Sequence, residues 1–188
     1  MIGSLASGAA DAFSDIDVEW VVPDAQFPGC LARVAEALGE VQPVAGIRGD
    51  PDFHHSDRRR VLFVRFTNVP LFWRLDLSVR AASVADDPQY DVGNPAARAR
   101  EDEWSRPASA LANALGAVKA AARKRDDVAR GLLDRGFARI SEEDRASGAW
   151  VDDVTRLAHA AVRRDPSLTD QADQVIALAA RHLGGSGA

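Results

Sequence analysis

Between Asp15 and Val22 the chain alternates: apolar residues stand at Ile16, Val18, Trp20 and Val22, and acids at Asp15, Asp17 and Glu19. A period of two belongs to a β-strand and not to a helix. The segment must therefore lie half buried, with its carboxylates together on the face away from the core. Two carboxylates that close repel, and one stays protonated near neutrality unless a cation joins them. Mg²⁺ is the natural partner, because it accepts one or two carboxylates and completes its octahedron with water and phosphate oxygens. Gly3-Ser4 precedes the pair by a spacer of about ten residues rich in small side chains. Glycine lets backbone approach a phosphate without a Cβ in the way. Ser4 adds a hydroxyl and an N–H, and the turn around it can form an anion-binding nest. Either feature alone is common on surfaces; the pair at this spacing is specific.

A third acid extends the pattern. Phe72 to Val79 is an apolar run interrupted at Asp76, and an acid buried there without a partner would be costly. If its strand lies beside the first, Asp76 completes a three-carboxylate cluster able to hold two Mg²⁺ ions. The alternatives are a sheet-edge acid facing solvent, or one paired with Arg74 or Arg80.

Composition removes several classes. With 188 residues, 46% of them hydrophobic and 27% charged, the chain has enough material for a real core. No apolar run approaches the ~18 residues of a membrane span. The first residues lack the basic leader of a secretory signal. The lone Cys30 excludes an internal disulfide, and no Cys/His set has structural zinc spacing. These features predict a cytoplasmic protein. A net charge of −5 argues against nucleic acid as a partner.

The order of signals predicts an α+β chain. Helical spacing over Leu31, Val34, Ala35 and Leu38 ends at Gly39, and Val41 to Ile47 reads as a short strand. Gly49 to Arg60 reads as an exposed loop. Val61 to Phe66 and Leu71 to Val79 form an antiparallel hairpin across Thr67-Asn68-Val69-Pro70. A polar connector marked by Asp86-Asp87-Pro88, Gly93-Asn94-Pro95 and Arg106-Pro107 follows. Beyond it the stripes are helical: one from Leu111 through Leu132, a second from Trp150 to Ala161, a third from Leu168 to Ala179. Three such helices pack as a bundle. Gly184 to Ala188 reads as a frayed tail. The expected division is a small mixed-sheet core with flanking helices over residues 1–94, then a connector and helical bundle over 95–188.

Gly-Ser, a spacer of about ten, Asp-x-Asp between apolar residues and a later strand with a third Asp resemble the signature of the polymerase-β nucleotidyltransferase superfamily. Within it, a small core followed by a helical bundle is similar to the nucleotidyltransferases that adenylylate aminoglycoside or lincosamide antibiotics. The core resemblance covers roughly residues 1–80; the helical half carries no motif. The resemblance implies in-line transfer of AMP from ATP to a hydroxyl of a small-molecule acceptor. Gly3 and Ser4 would hold the β- and γ-phosphates, Asp15 and Asp17 both metals, and Asp76 the metal nearest the acceptor. Relatives often bring a basic residue from the helical domain to the triphosphate, which here points to Lys119, with Arg123 one turn on; a solvated helix face supported by Asp126 and Asp127 accounts for the pair at least as well. Transfer to a protein or tRNA in a toxin–antitoxin system, or a catalytically inactive nucleotide-binding module, would use the same motif. Relatives also lead into the Gly-Ser turn with a helix and a full strand, of which Met1 and Ile2 are the remnant, so the reading places the true start upstream. A covering second copy would fill the same gap and favours a homodimer.

Other clusters read less functionally. Glu101, Asp102 and Glu103 beside Trp104 could receive a cationic acceptor, but an ordinary exposed acidic cluster accounts for them better. Arg58-Arg59-Arg60 reads as a solvated loop end. Adjacent loop histidines rarely converge on one ion, which argues against His54 and His55 as ligands. Glu19 lies one step farther along the acidic face and reads as exposed or supporting.

Overall fold

The computed structural model describes residues 2–185 and divides the chain into two compact units, Met1–Trp104 and Ser105–Ala188. The first is built on strands β1 (Ile16–Val22), β2 (Val44–Gly49), β3 (Arg59–Phe66) and β4 (Leu75–Ala81). They form one mixed sheet in the order β1-β4-β3-β2, with β1 parallel to β4 and the other pairs antiparallel. Two helices belong to this unit, α1 (Gly3–Ser7) and α2 (Phe27–Gly39).

Alternation along each strand gives the sheet two different faces. Val22, Val64, Leu75, Leu77, Val79 and Ala81 form a buried cluster with Phe27, Cys30 and Val34 of α2, while Ile16, Val18 and Leu62 pack on its edge. The buried α2 residues recur at the three- and four-residue spacing of one helical face, and Pro28 sits at the start, where its missing N–H has no intrahelical acceptor to lose. The opposite face carries the polar side chains. β4 is an interior strand, so the reading of Asp76 as a sheet-edge acid is excluded.

Several boundaries differ from the expected ones. The fourth strand begins at Leu75 rather than Leu71, because the chain turns first: Trp73 N–H donates to Pro70 O (2.8 Å), and Phe72 is buried edge-on to Phe13 at 5.3 Å. Gly49 to Arg60 is not simply an exposed loop. It holds a short 3-10 turn, Pro51–Phe53, in which Phe53 is buried, as is Ser56 beyond it. The connector is tied to this loop, since His55 N–H donates to Ala97 O (2.8 Å) and Ala99 N–H to Pro51 O (2.7 Å).

The second unit contains four helices among the described residues, not three: α3 (Arg106–Ala122), α4 (Asp126–Arg139), α5 (Trp150–Arg164) and α6 (Thr169–Leu183). The stripe expected as one helix from Leu111 to Leu132 is broken by a Schellman turn. Arg125 N–H bonds Ala120 O (2.9 Å) and Lys124 N–H bonds Ala121 O (2.8 Å), with Lys124 in the left-handed region at φ 58°. That position normally belongs to glycine, so a lysine hides the break. Asp126 and Asp127 then start α4, where the helix dipole favours negative charge. α3, α4 and α5 approach closely at Gly136, where a Cβ would lie 2.5 Å from Leu157 Cδ2. Leu111, Leu133, Phe137, Val154, Leu157 and Val175 are fully buried in this unit. Of the tail expected to fray, Ser186 to Ala188 lie outside the described residues, and Gly184-Gly185 form a turn. No helix among the described residues is long and apolar enough to cross a membrane.

Candidate functional site

Asp17 and Asp76 are register partners on the parallel pair β1–β4. The register continues across the sheet through Phe63 on β3 to Arg48 on β2, so four residues form one row on the polar face. Asp15, one position before β1, adds a third carboxylate to the same face, and Ile16 N–H donates to Arg74 O (2.9 Å) at that end. The structure therefore brings Asp15, Asp17 and Asp76 to one corner of one surface.

Backbone geometry fixes the corner from both sides. Ile2 N–H donates to Asp17 O (3.0 Å), which lays the start of the chain along β1. Gly3 has φ +72°, and a Cβ built there would sit 2.1 Å from Asp17 Oδ2 and 2.8 Å from its Cγ. Only glycine fits against that carboxylate. The Gly-Ser pair is the first turn of the five-residue α1 rather than a free turn. Ser4 is half buried, and its carbonyl accepts from Ala9 N–H (2.9 Å). The spacer is ordered by Asp11, whose Oδ1 accepts from Phe13 N–H (2.9 Å) and Ser14 Oγ (3.1 Å).

Arg74 is the residue that most alters the expected site. Its Nε and Nη2 donate to Asp76 Oδ1 (2.5 Å) and Oδ2 (2.8 Å), a two-point pair, and Nη2 lies 3.8 Å from Asp15 Oδ2. Of the alternatives weighed for Asp76, pairing with Arg74 is the one found. The guanidinium also stacks over Phe63 at 4.7 Å, and Arg48 stacks on the same ring at 4.3 Å. Burial pushes the Asp76 carboxyl above the usual carboxylate range; the Arg74 hydrogen bond and charge oppose this, while Asp15 and Asp17 add to it. Burial works against the Arg74 charge, but the Asp76 hydrogen bond and the charges of Asp76, Asp15 and Asp17 outweigh it and raise its pKa. Alternation along β3 and β2 could have placed Phe63 and Arg48 on this face once the strand register was known; the sequence alone did not supply that register.

The carboxylate oxygens are the donor set a hard divalent ion takes, and the cluster already holds one cationic group, Arg74. Asp15, Asp17 and Asp76 offer that donor type, but Arg74 holds both oxygens of Asp76, and among the described residues these three are not a group whose ligand atoms converge on one point. Glu19 belongs to the same face, and its Oε1 lies 3.5 Å from Arg80 Nη1. Lys119 lies in the last turn of α3 in the second unit, where it is buried, and Arg123 lies just past the end of that helix.

The remaining clusters are more structured than expected. Arg59 Nη1 donates to Pro88 O and Tyr90 O (both 3.1 Å), and Arg60 Nη1 to Phe53 O (2.7 Å), so these two are not a solvated loop end. Arg58 remains exposed. Glu103 is not a free surface acid either: Arg100 and His55 both hold its carboxylate. A cavity of about 330 Å³ lies on the α2 side of the sheet, lined by Trp20, Cys30, Arg33 and Glu36, and includes none of the three aspartates. Comparison of the chain with protein-family models, curated proteins and solved structures returns no match.

Proposed function

We propose that the first unit is a Mg²⁺-dependent nucleotidyltransferase core that transfers AMP from ATP to a hydroxyl of a small molecule. The observation that carries this reading is the register of Asp17 against Asp76 with Gly3 closed down on the Asp17 carboxylate. Asp15, Asp17 and Asp76 would hold Mg²⁺, which supplies charge neutralisation on the attacking and leaving oxygens of an in-line displacement. Gly3 would set the Gly3-Ser4 backbone directly against the Asp17 carboxylate, and Ser4 would offer its hydroxyl to a phosphate oxygen. Asp76, once released by Arg74, is the carboxylate that would take the proton of the acceptor hydroxyl. Arg74, freed from Asp76, is a candidate partner for the triphosphate charge. An aminoglycoside or lincosamide is the acceptor class we favour.

A second reading, a nucleotide-binding module without turnover, is favoured by one observation. Arg74 engages both oxygens of Asp76 and so stands where a cation would. Incubation with Mg²⁺, each of the four nucleoside triphosphates and a panel of aminoglycosides and lincosamides separates the two. Pyrophosphate release that needs an acceptor and disappears in Asp17→Asn supports transfer. Triphosphate binding with no release against any acceptor supports the module. Release only with a copurifying protein or RNA moves the acceptor to a macromolecule.

A further inference from the structure

We propose that His54, His55 and Glu103 form a second, separate site for a divalent transition ion of the zinc class. One ligand atom from each residue lies within 4.8 Å of the other two, and His55 Nε2 is 2.6 Å from Glu103 Oε2. The histidines are consecutive, yet they converge because the 3-10 turn at Pro51–Phe53 passes directly into helical backbone at His54 (φ −61°, ψ −37°). That geometry sets the two rings nearly perpendicular, at 86°, with centroids 4.8 Å apart. The third ligand comes from the connector, which two backbone hydrogen bonds hold against this loop, His55 to Ala97 and Ala99 to Pro51.

The carboxylate is prepared in the way ligating carboxylates are. Arg100 N–H donates to Glu103 Oε2 (2.8 Å) and Arg100 Nη2 to Oε1 (2.6 Å), fixing its orientation. Glu103 is largely shielded, with 17% of its side chain exposed, whereas His55 is 40% exposed, which leaves the site open to solvent. Two imidazoles and one carboxylate suit zinc and its neighbours and do not suit Mg²⁺. Bonds of ~2.0–2.2 Å in a tetrahedron put donor atoms roughly 3.4 Å apart. Reaching that spacing asks the side chains to move by about an ångström, and the ion replaces the proton now shared by His55 and Glu103. Three protein ligands leave a position for water, and the ion fastens the connector to the 54–55 turn.

The proposal does not depend on the nucleotidyl-transfer reading. Full-length protein stripped with chelator is titrated with Zn²⁺, bound metal is counted, and Co²⁺ is used as a visible-absorption probe. One tightly bound Zn²⁺ per chain is expected, with four- or five-coordinate Co²⁺ bands. His55→Ala and Glu103→Gln abolish both, His55→Cys restores binding through a thiolate, and Arg100→Ala weakens it by roughly tenfold. His159→Ala/His182→Ala and Asp17→Asn leave it intact. Circular dichroism verifies that each variant is folded; His54→Ala supplies a further ligand variant where one is not. Failure to bind one equivalent of Zn²⁺, retention of full affinity in a folded His55→Ala or His54→Ala, or loss in Asp17→Asn would overturn the proposal.

Discussion

Arg74 grips both carboxylate oxygens of Asp76, at 2.5 and 2.8 Å, from two residues earlier on the same face of the sheet. The pair is largely shielded, with 19% and 22% of the side chains exposed. One guanidinium thus offsets part of the charge of the three carboxylates at this corner.

Removing that guanidinium tests what the corner needs. Arg74→Met leaves three clustered carboxylates without their cation and is expected to lower stability by about 3 kcal/mol, as for other broken shielded pairs. Mg²⁺ at millimolar concentration should restore more of the melting temperature in this variant than in the parent protein. Equal Mg²⁺ shifts in the two would mean that the carboxylates do not take up the ion.

Gly3 provides a steric test that leaves every charge in place. Gly3→Ala puts a methyl where Asp17 Oδ2 now sits and forces a positive-φ alanine. The left-handed strain costs about 1 kcal/mol, and because α1 contains no buried residue the clash can be relieved locally, so global stability should fall by no more than about 2 kcal/mol. Nucleotide binding should fall at least tenfold, by calorimetry. Unchanged binding would remove Gly3 from the site.

In the second unit Asp153 is fully buried, and its carboxylate accepts from Ser147 N–H, Gly148 N–H, Ser147 Oγ and Arg156 Nη2 at 2.7–2.9 Å. Burial raises its pKa, but these hydrogen bonds outweigh that and hold it below the ordinary value. A depressed folded-state pKa means stability that is complete above the unfolded value, ~3.9, and is lost as pH falls through the folded one. Asp153→Ala should cost about 3 kcal/mol near neutrality, with Ser147 and Gly148 left unsatisfied. The difference from the parent should shrink in urea melts taken below pH 4. A constant difference down to pH 2 would contradict this.

The left-handed Lys124 predicts a gain instead. Lys124→Gly removes the strain of a side chain at φ 58° and should stabilise by about 1 kcal/mol. A loss of stability in urea denaturation would mean that the lysine side chain makes a compensating contact.

The sequence carried much of the first unit because its strands are half buried. Alternation at Ile16, Val18, Trp20 and Val22 names the strand and puts Asp17 on the open face, and the same logic marks Asp76. What periodicity could not supply was pairing. That β4 lies next to β1, which aligns Asp17 with Asp76, depends on a crossover between distant segments. The convergence of His54 and His55 with Glu103 escapes periodicity for the same reason, since the carboxylate arrives 48 residues after His55. The break at Lys124 was hidden because its turn is made by backbone hydrogen bonds around a residue type that rarely adopts that conformation.

The role proposed for the Asp15–Asp17–Asp76 corner is to hold a divalent ion together with a triphosphate. Mn²⁺ substitutes for Mg²⁺ and can be counted by electron paramagnetic resonance with a non-hydrolysable ATP analogue present. Mn²⁺ binding should depend on the analogue and be lost in both Asp17→Asn and Asp76→Asn, with the His55→Ala protein unaffected. Mn²⁺ uptake that ignores the analogue, or that survives both aspartate substitutions, would contradict it.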